Sequence, residues 1–280
     1  MLLKIFKHDF KTCARYEVPI LLALLGATVL GIVDIMIFGS SVNAMNADSE
    51  SILAGIGTIV GGLGWMFVYW AICITSSIMA FMIYYRFYKS MITDEAYLTL
   101  TLPVKPRTLI TGKLLSSLLW MLIAGVACAA ALILVFGGMI YYESAEIFIP
   151  SYQDWAEIGV TPLTGVILAV TGVVMAVSST LQVFFAILFA GSIVKKYKAL
   201  CAIGLVIGIN SIVSTVMTVL TVVGGALILS ALPMDALSEA QTVGLVFNVM
   251  LGVLCLLSAI LGVVFFCISC HLVKHKVNLE

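Results

Sequence analysis

The chain has 280 residues, 62% of them hydrophobic and only 10% charged, and its 14 Lys and Arg residues balance 14 Asp and Glu. Soluble domains carry about a quarter charged residues, so this composition, with a mean hydropathy of +1.20, excludes a soluble globular protein and predicts an all-α integral membrane protein. No basic nucleic-acid-binding run, low-complexity tract or linker between soluble domains interrupts it, and one transmembrane domain over residues 1–280 is the simplest count.

Residues 1–17, MLLKIFKHDFKTCARYE, are amphipathic. Leu2, Leu3, Phe6, Phe10 and Cys13/Ala14 recur at helical spacing, and Lys4, Lys7, Lys11 and Arg15 occupy the other face. Such a helix can lie in the membrane interface with its lysines beside anionic lipid. A signal peptide is the alternative, because the start is basic and Val42-Asn43-Ala44 resembles a cleavage site. The apolar run from Val18 to Phe38 is longer than a signal's core of roughly 7–15 residues, and it reads as an uncleaved first span.

The apolar runs predict spans at about 18–40, 56–85, 114–141, 163–194, 199–232 and 242–272, each enough for the roughly 20 residues that cross the hydrocarbon core. The second, fourth and fifth exceed that length and must tilt, kink or extend beyond the bilayer. Pro103, Pro106, Pro150, Pro162 and Pro233 fall in the connections.

Charge then sets the topology. Lys4, Lys7, Lys11 and Arg15 precede the first span; Arg86, Lys89, Lys105, Arg107 and Lys113 lie between the second and third. Lys195, Lys196 and Lys198 separate the fourth from the fifth, and Lys274 and Lys276 follow the sixth. These are all 14 basic residues of the chain, whereas the other three connections hold only acids, such as Asp48, Glu143 and Asp235. By the positive-inside rule both termini are cytoplasmic and the number of spans is even.

Little in the chain suggests catalysis. Gly112-Lys113 lacks the upstream glycine and the Ser/Thr of a phosphate-binding loop, and neither HExxH nor GxSxG occurs. His8, His271 and His275 sit near the termini without a carboxylate cluster, and the seven cysteines read as small apolar packing residues rather than a disulfide framework. Cys267 and Cys270 have CxxC spacing but no second pair. Among polar residues within spans, Asp34 is the sole acid. It is either functional or reaches the outer interface. Gln182, Asn210 and Asn248 are candidates for the substrate pathway or for interhelical hydrogen bonds. Gly57-xxx-Gly61 and Gly204-xxx-Gly208 have the spacing of close helix packing.

The polar stretch Tyr84–Lys113 stands apart. Tyr97, Leu98, Leu100 and Leu102 are apolar in a loop expected to face water, Thr93 can cap a helix whose first turn carries Asp94 and Glu95, and Pro103 ends it. The pattern predicts a helix of about two turns displaying aromatic and leucine side chains, either to a partner or to the membrane interface.

With its amphipathic start, six spans, both ends inside, and RFYKSMITDEAYLTLTLPVKPRTLITGKLLSSLLW between spans two and three, the chain resembles the permease subunits of type-2 ATP-binding-cassette (ABC) exporters of the Gram-positive bacterial type. The ending Lys274-His275-Lys276-Val277-Asn278-Leu279-Glu280 is similar to the tails of such permeases. The resemblance implies that residues 1–17 form the interfacial connecting helix. Segment 93–102, within a cytoplasmic loop over 86–113, becomes the coupling helix that seats in a nucleotide-binding subunit. It implies coupling roles for Thr93, Asp94, Glu95, Tyr97 and Leu98, with Arg107 as a flanking electrostatic contact. A second permease, identical or homologous, and two separately encoded ATPases carrying ATP and Mg would complete a transporter in the bacterial cell membrane. No cofactor is expected in this chain. The short outer connections depart from relatives with large extracellular domains. An amphipathic or hydrophobic cargo, such as a peptide antibiotic, drug or lipid, suits the apolar spans. The rivals are a membrane immunity or sensor protein without an ATPase and an intramembrane lipid enzyme, for which Asp34 alone supplies too few ionisable groups.

Overall fold

The computed structural model describes residues 2–47, 52–93, 96, 105–144, 161–194, 197–230 and 239–275. Among them every regular element is an α-helix: α1 Leu2–Ala47, α2 Ile52–Ile92, α3 Pro106–Ser144, α4 Pro162–Ile193, α5 Lys198–Ser230 and α6 Glu239–His275. All six are long and apolar enough to cross a membrane, which makes the chain a multi-pass membrane protein. The shortest has 32 residues, so each helix runs beyond the roughly 20 residues that a span needs, or tilts.

Three boundaries differ from the sequence reading. The amphipathic stretch and the first span form one helix, α1, with Pro19 inside it. Pro19 removes only the bond its amide would make to the Arg15 carbonyl, and both residues lie on the exposed face. Helix α2 continues past residue 85 to Ile92, because Phe87, Ser90 and Met91 keep a buried stripe at helical spacing. Helix α3 already begins at Pro106, so Arg107 and Lys113 are helical and the connection narrows to 93–105. Pro106 and Pro162 open helices, as suits a residue without an amide proton at the first helical position.

The chain divides into two compact units. Residues 6–85 and 119–149 form one, built from α1, α2 and α3. Leu24, Ile35, Ile72, Ala131 and Val135 close its core. Toward the start of α1 and the end of α2, Cys13, Ile83 and Trp120 form a second cluster, where the Trp120 ring stacks on Phe10 at 5.0 Å and its Nε1 donates to the Phe10 carbonyl at 3.2 Å. Gly31 lets the three helices approach: a Cβ there would lie 2.8 Å from Val68 Cγ1 and 2.9 Å from Val135 Cγ2. Gly31→Leu is therefore expected to destabilise the chain by about 1–3 kcal/mol through overpacking, a loss larger than the helix-propensity gain of up to ~1 kcal/mol. Thermal unfolding in mild detergent checks this.

The other unit holds residues 1–5, 86–118 and 150–280. Helix α4 is its centre and packs on both α5 and α6, which also pack on each other. Its start is fixed locally: the Thr161 hydroxyl accepts from the Thr164 amide at 3.4 Å and the Thr164 hydroxyl from the Thr161 amide at 3.2 Å, a reciprocal cap closed by threonine. Ile110 of α3, Leu181 of α4 and Phe265 of α6 form the core. Half of the most apolar stretch of α4 is buried, whereas very little of that of α5 is.

Candidate functional site

An open groove of about 430 Å³ lies between α4, α5 and α6 within this second unit. From α4 it is lined by Ser178, Ser179 and Gln182, from α5 by Asn210, Ser214, Thr218 and Thr221, and from α6 by Ser258. Met175, Val213, Met217, Val222, Leu254 and Leu261 supply the apolar remainder. Eight of fourteen lining residues thus carry hydroxyl or carboxamide groups, in the middle of helices otherwise built to be apolar, and none is ionisable.

The geometry follows from helical spacing. Asn210, Ser214, Thr218 and Thr221 sit at i, i+4, i+8 and i+11 on α5, one face of a helix with 3.6 residues per turn. That stripe runs roughly 16 Å along the axis at 1.5 Å per residue. Gln182 is buried, 6% exposed, and its Nε2 donates to Asn210 Oδ1 at 3.4 Å, linking α4 to the exposed α5. Each side chain keeps further amide hydrogen-bonding capacity, since a carboxamide has two N–H donors and one acceptor oxygen.

Several hydroxyls are satisfied within their own helices. Ser179 donates to the Ala176 carbonyl, Thr218 to Ser214 and Ser258 to Leu254, at 3.1, 2.9 and 2.7 Å. This back-bonding is what lets serine and threonine reside in apolar helices, and it leaves their oxygen lone pairs free to accept. Thr221 differs: its Oγ1 is buried with no hydrogen-bond partner among the described residues. The groove offers neutral donors and acceptors beside thioether and aliphatic surface.

The structure brings Gln182 and Asn210 together and leaves the other two pathway candidates elsewhere. Asn248 lies on α6 outside the groove lining, with its Oδ1 buried and without a partner among the described residues. Asp34 belongs to the first unit, where its carboxylate rests against Gly64 of α2 in the space a Cβ would need. Its Oδ2 is buried without a partner among the described residues. Gly204 and Gly208 meet no described atom within 4 Å of a built Cβ, so this pair is not at a helix contact within the described chain. Sequence reading missed Ser178, Ser179, Ser214, Thr218, Thr221 and Ser258. The i, i+4, i+8, i+11 stripe on α5 was the signal that could have found half of them.

The second feature is the pair of helix ends that bracket residues 93–105. Asp94, Glu95, Tyr97 and Leu98 lie outside the described residues. The Thr93 hydroxyl donates back to the Lys89 carbonyl, and the Ala96 amide donates to the Thr93 carbonyl at 2.7 Å. That amide does not take the hydroxyl bond expected of a Thr93 cap. Ala96 is fully buried, and Arg107 lies exposed in the first turn of α3.

Both bracketing ends are tied down. Lys113 is buried, 6% exposed, and its Nζ donates to Ser90 Oγ at 2.9 Å, clamping the start of α3 to the end of α2. Phe87 of α2 stacks on Phe184 of α4, with ring centroids 3.6 Å apart and planes within 4°. Ile92 fills the space over Gly191 of α4, where a Cβ would lie 2.9 Å from its Cδ1. Ile5 covers Gly112 of α3 in the same manner, at 3.1 Å. The α4 helix that carries Gln182 into the groove is thus the one the end of α2 grips.

Compared with protein-family models, curated proteins and solved structures, the chain matches none. Among the described residues no group of three His, Cys, Asp or Glu side chains converges on a metal-binding point. What the site can do rests on its own chemistry: a largely apolar groove carrying neutral polar groups, and a polar segment between α2 and α3 whose α2 end is anchored to a helix lining that groove.

Proposed function

We propose that the chain is the membrane-spanning permease subunit of an ABC exporter, moving an amphipathic or hydrophobic substrate with ATP hydrolysed by a separate subunit. In this reading both termini and the connection 93–105 are cytoplasmic, residues 1–17 lie near the inner interface, and 93–102 seats in the ATPase. Thr93, Asp94, Glu95, Tyr97 and Leu98 supply the contact, with Arg107 beside it. A second permease completes the translocation pathway.

The observation that carries the proposal is the anchoring of that connection. A segment that transmits force must be joined rigidly to what it moves. Phe87 on Phe184 and Ile92 on Gly191 join its α2 end to α4, and Lys113 on Ser90 joins its α3 end to that same α2 end. A push on 93–105 would reach α4, and through it Gln182, by contacts between buried side chains rather than through a flexible loop. The distribution of all 14 basic residues supports the same orientation.

Two measurements test this. A tagged chain isolated in mild detergent from its host is expected to bring down a soluble protein with nucleotide-binding motifs in near-stoichiometric amount. Tyr97→Ala combined with Leu98→Ala is expected to leave the thermal midpoint of the chain unchanged while lowering ATPase retention and cargo-stimulated hydrolysis about tenfold or more, the loss of roughly 1.4 kcal/mol of contact. Isolation of the chain alone, under conditions that preserve a known ABC complex, would favour an immunity or sensor protein. Retained ATPase and unchanged stimulation in the double variant would remove the coupling role.

A further inference from the structure

We infer that the groove between α4, α5 and α6 is a binding site for an uncharged amphipathic molecule whose carboxamide or hydroxyl end bonds to the Asn210–Thr218 face, with its hydrocarbon body against Met175, Met217 and Leu261.

Volume comes first. At about 430 Å³ the groove falls within the roughly 300–1,000 Å³ of small-molecule sites. Its lining then sets the class. A permanently charged ligand would enter a space with no ionisable side chain to pair it, and an unpaired ion in a low-dielectric site costs several kcal/mol or more. A pure hydrocarbon would leave the remaining amide capacity of Gln182 and Asn210 facing methylenes, which forfeits hydrogen bonds that a polar end can make. Methionine on two of the walls adapts to hydrocarbon of varied shape. Neutral head and apolar body together satisfy both surfaces.

Binding of this kind is a property of the one unit and requires no ATPase. That the ligand is also the transported cargo rests on the permease reading. The two are separable, because binding is measured on the purified chain without a nucleotide-binding partner.

Three photoreactive probes with the same diazirine-bearing alkyl chain are presented to the full chain in phosphatidylcholine nanodiscs: a primary carboxamide, a sulfonate and a trimethylammonium. The carboxamide is expected to label the Met175–Gln182, Asn210–Thr221 and Leu254–Leu261 stretches saturably, and to be competed by the unlabelled amide. The two charged probes should label these stretches at least about fivefold less. Asn210 is exposed, and Asn210→Leu is expected to cut saturable labelling about fivefold, as loss of one hydrogen bond would. If that variant unfolds because Gln182 is left without its partner, Ser214→Ala combined with Thr218→Val removes two exposed hydroxyls and reads the same face. Equal labelling by all three head groups would overturn the proposal. So would labelling that neither variant lowers, or a cross-linked species of twice the chain's mass formed through α5, which would assign the groove to a second copy.

Discussion

Phe184→Ala is expected to lower the stability of the chain by about 2 kcal/mol and to loosen α2 from α4 without unfolding the six-helix chain. In a water-soluble core the loss would be about 3–5 kcal/mol. Part of that is transfer of the ring from water, and it does not apply between helices that leave one another for lipid tails as apolar as themselves. What remains is the dispersion lost from a side chain with no exposed surface and the face-to-face contact with Phe87 at 3.6 Å, where a ring-sized void has no atoms to replace it.

The comparison that makes the measurement specific is Phe81→Ala. Phe81 also stacks, on Tyr85 at 6.3 Å, but its side chain is 55% exposed. Lipid can refill the space, and thermal unfolding of that variant in detergent should match the parent within about 0.5 kcal/mol. Phe184→Leu should recover part of the loss by filling part of the volume. If Phe184→Ala and Phe81→Ala prove equally mild, the contact is not the strut between the end of α2 and the groove-lining helix, and the coupling route through it fails with it.

How much of this could be read from the sequence differs from residue to residue, for physical reasons. The six helices and their order were legible because apolar runs of spanning length have no other stable use in a membrane. Helix ends were not, because hydropathy marks where lipid stops while helices continue on tertiary contact. Arg86–Ile92 read as loop by polarity, yet Phe87 and Met91 are buried and hold that turn in place. Glu17 shows the converse. An acid at the close of an amphipathic stretch reads as interfacial, but it falls on the seam that continues from Cys13 toward Leu24 and is only 1% exposed. Gln182 and Asn210 were recognisable singly as polar residues in spans. Their meeting was not, since the register of α4 against α5 is set by packing between the helices and leaves no mark in either one's period. The six further groove hydroxyls carry no individual signal in the sequence, because serine and threonine are ordinary in membrane helices when bonded to the preceding turn. Only their alignment on shared faces distinguishes them.

Reporter fusions should divide the connections into two sets with no intermediate values. Alkaline phosphatase, active only outside the cell membrane, is expected to be active when joined after Asp48, Gln153 or Asp235, and inactive after Lys105, Lys196 or Asn278. The expectation rests on all 14 Lys and Arg falling in four segments that alternate with three acidic ones. It also rests on six helices apolar enough to span, which return the chain to the same side after each pair. The contrast should exceed about tenfold, because each basic residue drawn into the bilayer centre costs about 2.5–3.5 kcal/mol on insertion scales and every inverted connection would have to carry at least two. The consequence reaches the function directly. Activity at Lys105 would place residues 93–105 outside, beyond the reach of any ATP-hydrolysing partner, and the permease reading would end there even if the chain still bound its ligand. Inactivity at Lys105 with activity at Gln153 places the anchored segment on the nucleotide side, with the groove's Gln182–Asn210 end nearer to that side than Thr221. A ligand would then meet the carboxamide pair first on entry from the inner leaflet, the direction an exporter requires.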